Sequence, residues 1–438
     1  MERIPRNMKH HKTGFVLWLL LLPLLFAPLV LAFFPPLSGE KLYGVQDAEK
    51  VKFSWHHIQN HEWQNSIEDQ VKQNMGCANH WVRLHNELNF RLFRYTNAEK
   101  LVLGKNDCFY EEMYITEYLG HNYIGKDFVE KKVENLKRLQ NLLQEKYGIE
   151  LLLVFEPGKA HFCPENIPDR YQPTVKTTSN YEAFTAACDR AGVHYLDLNS
   201  YFSRLKATSP HPLYSKYGVH WSSYGLWQAT DTLARYIERE CRINLPDIVF
   251  AGDSNSRYNK DLDFDMEPAM NLLFPLPHET LNFPICHFRH DDSTLTQPRV
   301  LTVADSYYWS IWNSGIAENL FSDNTFWYYN LTVYPNIWDP IEWVDKSKMK
   351  EVIENKDVIL LMITDANLYN FGWQFVEEAL VAFDPDWKIQ PDIAAFNCII
   401  NTTENGKHQW YLNLLERSRR KQIPFCDVLR EEVGRIEK

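Results

Sequence analysis

Three short runs, apolar almost throughout, restrict the fold more than any other feature of the chain: Glu150–Phe155, Arg299–Val303 and Asp357–Thr364. Each has the length of a strand and lacks polar–apolar alternation, so each must be covered on both faces. Amphipathic stretches of helix length surround them. Phe128, Val133, Leu136, Leu139, Leu143 and Tyr147 recur at helical spacing, and Gly148 supplies the stop. A helix over 180–191 ends at Gly192 and leads into a strand over 193–198. Ser222 is a good N-cap for a helix over 223–240. A strand over 325–333 and a helix over 341–354 follow, whereas the Asp- and Pro-rich stretch 244–298 shows no regular pattern. Strands alternating with helices predict an α/β fold, a parallel sheet flanked by helices. Ligands in such sheets gather at the carboxyl ends of the strands.

The amino-terminal run Gly14–Phe34 holds 21 residues without a charge. At 1.5 Å per residue this length crosses a bilayer core of about 30 Å, and Pro23 and Pro28 are tolerated there better than in a soluble helix. Arg3, Arg6, Lys9 and Lys12 precede it, so an uncleaved anchor would leave residues 1–13 in the cytoplasm and the rest across the membrane. A cleaved signal peptide is the competing reading, but no Ala-x-Ala site follows at a suitable distance. The expected organisation is a cytoplasmic tail (1–13), a transmembrane anchor in the lipid bilayer (14–34), a stem with leading helices (35–100), an α/β domain (101–390) and a helical appendage (391–438). In that last segment two amphipathic helices flank Pro424, either capping the sheet or serving a partner.

A net charge of −11 and the lack of a basic, aromatic-interleaved stripe argue against nucleic acid. The eight cysteines (77, 108, 163, 188, 241, 286, 398 and 426) have no metal-ligand spacing, and spacing cannot pair them as disulfides. No metal site and no organic cofactor are expected. Asn330-Leu-Thr332 and Asn401-Thr-Thr403 match the glycosylation sequon, which matters only in a eukaryotic secretory pathway.

Two segments carry chemistry. His220-Trp221 stands at the mouth of the 223–240 helix, and Asp305-Ser306 lies at the tip of the 299–303 strand before another helix-like run. A serine on a strand-to-helix turn, with a histidine to take its proton, is the minimum equipment for acyl transfer through an acyl-serine. The backbone N–H groups of Ser306 and Tyr307 are expected to face a developing oxyanion. Ser254, in Ala251-Gly-Asp-Ser254 after the apolar run 248–250, is a rival nucleophile, but the residues after it start a helix poorly. Each candidate also has a plain structural reading: Ser306 as an N-cap, His220 as a loop-capping polar residue, Lys159 as a structural side chain. Asp305 is expected to stabilise the turn. Asp365 and Asn367, at the end of the last strand, are placed to add polar groups without an assigned role.

The two segments together resemble the alginate O-acetyltransferase group of AlgJ and AlgX type, whose domain is similar to the SGNH/GDSL hydrolases. The family motif Lys-Thr-Asp-Thr-His-Trp, followed later by Gly-Asp-Ser-Phe, reads here Lys216-Tyr-Gly-Val-His-Trp221 and Ala304-Asp-Ser-Tyr307. Leu101–Tyr110 and Leu151–Ala160 resemble two further landmarks, so the likeness spans roughly residues 100–370. It implies an SGNH-like domain in which Ser306 is the nucleophile and His220 its base, with Asp305, Tyr307, Trp221 and Lys159 near the site. It further implies an O-acetyltransferase of the bacterial periplasm, anchored in the inner membrane by a single pass. That enzyme would modify an exported polysaccharide with acetyl relayed by a membrane-bound O-acyltransferase. An O-acetylesterase would use the same residues. Gly218 stands where the family has the aspartate that orients the histidine. Either another carboxylate or carbonyl replaces it, a Ser–His dyad operates, or the chain is a non-catalytic polysaccharide-binding or scaffold subunit.

Overall fold

The computed structural model describes residues 15–19, 21–23, 26, 40–171, 176–257, 263–290, 292–335, 341–403 and 408–437. Most of the charge-free run 14–34 therefore lies outside the described residues. Among those described, no helix is long and apolar enough to cross a membrane. The chain forms two compact units, one comprising the described residues up to Glu99 with Met266–Pro277, the other Lys100–Asp265 with His278–Lys438.

The smaller unit is built on three helices, α1 (Trp55–Gln59), α2 (Glu62–Asn74) and α3 (Ala78–Phe93). The returning segment 266–277 is tied to α3. The buried Glu87 carboxylate accepts from the backbone N–H groups of Leu273 and Phe274 at 3.2 and 3.3 Å, and Asn86 donates to Met270 O at 3.0 Å.

The larger unit opens with a small hairpin, β1 (Leu101–Leu103) and β2 (Phe109–Glu111), then α4 (Glu112–Tyr118) and α5 (Lys126–Tyr147). There follow β3 (Glu150–Glu156), α6 (Lys159–Phe162), α7 (Asn180–Ala191), β4 (Tyr195–Asp197), α8 (Leu198–Leu205) and α9 (Ser223–Cys241). A second hairpin, β5 (Asp247–Ser256) and β6 (Leu281–Arg289), precedes β7 (Arg299–Ala304), α10 (Tyr308–Asn313), α11 (Ile316–Leu320), β8 (Asp323–Tyr328) and β9 (Thr332–Tyr334). The chain ends with α12 (Met349–Glu354), β10 (Val358–Thr364), α13 (Phe375–Phe383), α14 (Pro391–Asn401), α15 (Gln409–Lys421) and α16 (Phe425–Ile436).

Six strands form the central sheet in the order β4-β3-β10-β7-β8-β9. It is mixed rather than purely parallel, because β9 runs antiparallel to β8 at the edge. The expected strand 325–333 is broken into two by Tyr329 and Asn330, both at positive φ (52° and 55°), which turn the chain back on itself. The apolar strands do cover both faces. Leu151, Leu153, Phe155, Leu301, Val303, Ile359, Leu361 and Ile363 share one core with residues of α5, α7, α13 and the carboxyl-terminal helices. Leu152, Val154, Val300, Ala304, Leu360 and Met362 share the other with α4, α9 and α10. This is the period-two division that a doubly covered sheet requires.

Stretch 244–298 is not irregular throughout: it carries the β5–β6 hairpin, whose half-exposed strands include a register shift between Phe250 and Gly252. The Asn330 side chain is buried and donates to Trp373 O at 2.9 Å, so that sequon is not presented for glycosylation.

Candidate active site

Strand register sets the level of the site. Ala304 pairs with Met362, and Glu156 pairs with Thr364, so the residues just past β7 lie beside the last residues of β10 and β3. Asp305 is fully buried there. Its Oδ2 accepts from Thr364 N at 2.9 Å, Thr364 Oγ1 at 2.6 Å and Asn367 Nδ2 at 2.8 Å, while Oδ1 accepts from Tyr307 N at 3.2 Å. Asp305 thus fixes the turn that presents Ser306, and Asn367 acquires its place as one of Asp305's donors. The fully buried Glu156 carboxyl meets Asp305 from β3. Burial, reinforced by the Asp305 charge, pushes the Glu156 pKa well above the usual carboxylate range. Neither Glu156 carboxyl oxygen has a hydrogen-bond partner among the described residues, which with the raised pKa favours the neutral acid there.

His220 stands two residues before the N-cap of α9. Ser222 Oγ accepts from Gly225 N at 3.0 Å and caps α9, which fixes the residues just before the helix. His220 Nε2 lies 2.9 Å from Ser306 Oγ. Its other nitrogen, Nδ1, is paired with Asp265 Oδ2, and Asp265 Oδ1 accepts from Val219 N at 2.8 Å. Burial disfavours the charged imidazole, but the Asp265 carboxylate more than offsets it, so the His220 pKa is raised above its ordinary value. The structure therefore brings Ser306, His220 and Asp265 into one relay.

Asp265 was not foreseen as the orienting group, and Gly218 explains the substitution. A Cβ built at position 218 would stand 2.4 Å from Asp263 O and 2.7 Å from Ser215 Oγ. An aspartate does not fit at position 218, because the Asp263 backbone and the Ser215 hydroxyl already occupy that space. The same close approach delivers Asp265 to His220. Asp263 anchors the segment, accepting from Ser223 N at 2.9 Å and Ser223 Oγ at 3.1 Å. Carboxylates two apart in sequence, Asp263 and Asp265, were the only sequence signal.

The remaining expected residues support the loop. Lys159 is 1 % exposed and does not line the cleft. Its Nζ donates to the carbonyls of Ser215, Lys216 and Gly218 at 2.7, 2.9 and 2.5 Å, clamping the turn that leads to His220. Tyr307 is buried and donates from its hydroxyl to Val219 O at 2.9 Å, with its ring against His220 at 4.7 Å. Trp221 Nε1 donates to Ser310 Oγ at 2.7 Å. The Tyr307 N–H is taken by Asp305, so it is not aimed at an oxyanion as expected; the Ser306 N–H has no hydrogen-bond partner among the described residues. Asp365 pairs with His161 Nδ1 at 2.5 Å and lies directly over Gly158. Ser254 lies within the β5 strand opposite Phe283, not on a strand-to-helix turn.

A cavity of about 370 Å³ opens beside His220, lined by Trp221, Ser222, Ser223, Leu226, Asp263, Ser310, Asn313 and Ser314. Its exposed lining is mostly apolar, with the Trp221 indole and Leu226, and the hydroxyls of four serines, the Asn313 amide and the Asp263 carboxylate are set into it. Among the described residues no group of three or more His, Cys, Asp or Glu side chains is arranged to hold a metal ion.

Residues 101–245 match the family model described as the SGNH hydrolase-like domain of acetyltransferase AlgX. The matched span contains Lys159, His220 and Trp221 and ends before Asp265 and Ser306. The likeness to acetyltransferases of AlgJ and AlgX type is thereby supported over that part of the chain. Among solved structures, the O-acetyltransferase domain of Pseudomonas putida AlgJ is similar at 17 % identity and a TM-score of 0.41, covering 64 % of this chain and 99 % of that one. Pseudomonas aeruginosa AlgX is similar at 16 % identity and a TM-score of 0.40, covering 63 % and 66 %. Bacillus cereus PatB1 is similar at 13 % identity and a TM-score of 0.36, covering 56 % and 93 %. No curated protein matches the chain.

Proposed function

We propose that the larger unit is an O-acetyltransferase that passes acetyl through Ser306 to a hydroxyl of an exported polysaccharide. The observation that carries this reading is the continuous relay Ser306 Oγ–His220 Nε2, His220 Nδ1–Asp265. A serine hydroxyl is a weak nucleophile until a base within hydrogen-bond reach takes its proton. In the first half-reaction Ser306 Oγ attacks the acetyl carbonyl and His220 takes the proton. Asp265 stabilises the resulting imidazolium and holds the productive tautomer. The Ser306 N–H is the backbone donor left for the oxyanion. His220 then returns the proton to the leaving group. In the second half-reaction a hydroxyl of the acceptor in the cavity gives its proton to His220 and attacks the acyl-serine; the bond from acetyl to Ser306 Oγ breaks, and His220 returns the proton to that oxygen.

Asp265 removes one motive for reading the chain as a non-catalytic scaffold, the glycine at 218, and leaves the other, the abundance of aromatic residues. An O-acetylesterase differs only in using water as acceptor; the cavity beside His220, with an indole face and hydroxyl, amide and carboxylate groups in its lining, supports a sugar in that role. In this reading residues 14–34 anchor the protein in the bacterial inner membrane with the catalytic unit in the periplasm. A membrane-bound O-acyltransferase supplies the acetyl group from the other side. The test is a partition experiment with an activated acetyl ester and a panel of oligosaccharides. Mass spectrometry should find acetylated oligosaccharide rising with acceptor at the expense of free acetate, and neither product with Ser306→Ala. Release of acetate alone, unaffected by any acceptor, assigns the site to hydrolysis instead.

A further inference from the structure

Helix α3 of the smaller unit has its amphipathicity reversed. Polar and charged side chains turn inward beside the buried Phe90. The Glu87 carboxylate is buried against the N–H groups of Leu273 and Phe274, Asn86 donates to Met270 O, and Arg83 Nη1 donates to Leu272 O at 3.2 Å. Large apolar residues turn outward instead. Trp81, Leu88 and Leu92 are seven and four apart, which puts them on one stripe of the helix, with Val82 and Phe93 along its flank. Trp81, Leu88, Leu92 and Phe93 are 51 %, 49 %, 66 % and 72 % exposed. The polar residues on this face, His85 and Asn89, hydrogen-bond each other, Asn89 Nδ2 to His85 Nε2 at 2.8 Å. Scattered exposed apolar residues are ordinary, but a continuous stripe along a helix marks an interaction surface.

We propose that this face of α3 lies on the surface of the lipid bilayer. The proposal rests on the reading of residues 14–34 as a bilayer anchor and goes beyond it, because an anchor alone leaves the unit free above the membrane. Chain length favours lipid as the occupant. Phe34 ends the charge-free run and Glu40 stands six residues further on, a reach of at most about 22 Å. Glu40 and Lys41 are fastened to α3, since Asn79 Nδ2 donates to Glu40 O at 3.0 Å and Arg83 Nη2 donates to Lys41 O at 3.3 Å. A helix is about 10–12 Å across with its side chains, so this tether allows the outward side of α3 to reach the membrane surface. Residue type agrees. Trp81 and the exposed Tyr95, just past the helix, are of the kinds that gather at membrane–water interfaces. Charge agrees as well. The chain carries −11 overall, yet residues 78–94 hold three arginines against one glutamate, and that Glu87 is turned inward with Arg91 at 2.8 Å. A locally positive helix is drawn to anionic headgroups.

In this pose α3 lies parallel to the membrane, with Trp81, Leu88, Leu92 and Phe93 at the boundary between headgroups and acyl chains. The helix satisfies its own backbone hydrogen bonds, so only side chains change surroundings, and the apolar area leaving water drives the contact. Segment 266–277, bonded to the opposite side of α3, then faces away from the bilayer. Met266 follows Asp265 directly in the chain. The membrane-bound helix is thus the fixed base from which the chain runs into the relay.

The test uses the full chain reconstituted in vesicles of phosphatidylethanolamine and phosphatidylglycerol. A photoreactive p-benzoylphenylalanine replaces Leu88, Leu92 or, as control, the exposed Lys348 of the larger unit. These side chains are exposed, so the replacements leave the fold intact. After irradiation and digestion, mass spectrometry should find lipid adducts at positions 88 and 92. Their yield should exceed that at 348 by about tenfold or more, the preference that burying one leucine side chain confers. Lipid adducts no more frequent on α3 than at 348, or crosslinks from α3 to a second copy of the chain instead of lipid, overturn the proposal. An alkaline carbonate wash separates it from the anchor reading. Chain released by the wash overturns both, whereas chain retained without lipid adducts on α3 overturns the membrane contact alone. No readout involves acyl chemistry, so the outcome is separate from that of the acetyltransferase reading.

Discussion

Replacing Asp265 by Asn removes one charge and leaves the shape of the relay nearly intact. Both carboxylate oxygens are committed, Oδ1 to Val219 N at 2.8 Å and Oδ2 to His220 Nδ1. An amide offers only one acceptor. If its oxygen keeps Val219, its NH₂ faces His220 Nδ1, which must then accept. The ring proton moves to Nε2 and points at Ser306 Oγ, and the base is blocked. If the amide flips, the productive tautomer survives, but the Val219 N–H faces a second donor at a cost of about 1–3 kcal/mol. That cost leaves the productive orientation populated at roughly 1 part in 5 to 1 part in 150. The flipped amide also no longer stabilises the imidazolium, which brings the expected loss to about 10⁴-fold, or about 5.5 kcal/mol in the barrier. The assay is the pre-steady-state rate at which Ser306 is acetylated by an activated ester, followed by intact mass. A thermal melt within a few degrees of wild type shows that the fold is kept. If Asp265→Asn acetylates within about tenfold of wild type, the carboxylate does not act in the relay and the tautomer reasoning is wrong, since a tautomer block costs about 10⁴-fold.

Gly218→Asp, which introduces the aspartate of the motif that the 216–221 segment resembles, should abolish acetylation rather than rescue Asp265→Asn, because the new Cβ collides with Asp263 O; a double variant that regains activity refutes this. Lys159→Met should cost about 3 kcal/mol or more in urea denaturation, since two buried carbonyls and a part-buried one lose a charged donor. It should also slow Ser306 acetylation in the fraction that remains folded; a stable, fully active variant contradicts the clamp. Glu156→Gln tests the neutral state of the Glu156 carboxyl. With its folded pKa raised, the neutral Glu156 carboxyl favours folding most below the ordinary glutamate pKa of about 4.3, and stability is lost as pH rises toward the folded value, by up to ~1.4 kcal/mol per pH unit. The amide stays neutral, so its melting temperature should fall less than wild type's between acid and alkaline pH, and parallel profiles contradict the assignment.

The central strands were legible because both of their faces are buried: the flat apolar composition of β3, β7 and β10 leaves no other element that satisfies them. The β5–β6 hairpin was not, because its strands are half-exposed and mix Asp, Ser and Asn with apolar residues, which reads as loop. The break after Tyr328 was hidden because Tyr329 is an unusual residue for positive φ, with only Asn330 as a hint. At the site, Ser306 and His220 could be found from local context, the end of an apolar strand and the mouth of a capped helix. Asp265 could not, since its role depends on a segment 45 residues beyond His220 folding against Gly218. What read as a missing residue at 218 was the space needed for its replacement. Lys159 was legible as important and misplaced, because a sequence does not say whether a lysine faces a cleft or the carbonyls beneath it.

Peptide mapping of the acetyl adduct tests the central claim most directly. After exposure of the purified protein to an activated acetyl ester, one acetyl group per chain should be recovered on the peptide containing Ser306. It should be lost with Ser306→Ala and unchanged with Ser254→Ala. An adduct that survives Ser306→Ala, or that maps to Ser254 or to surface lysines alone, contradicts the account.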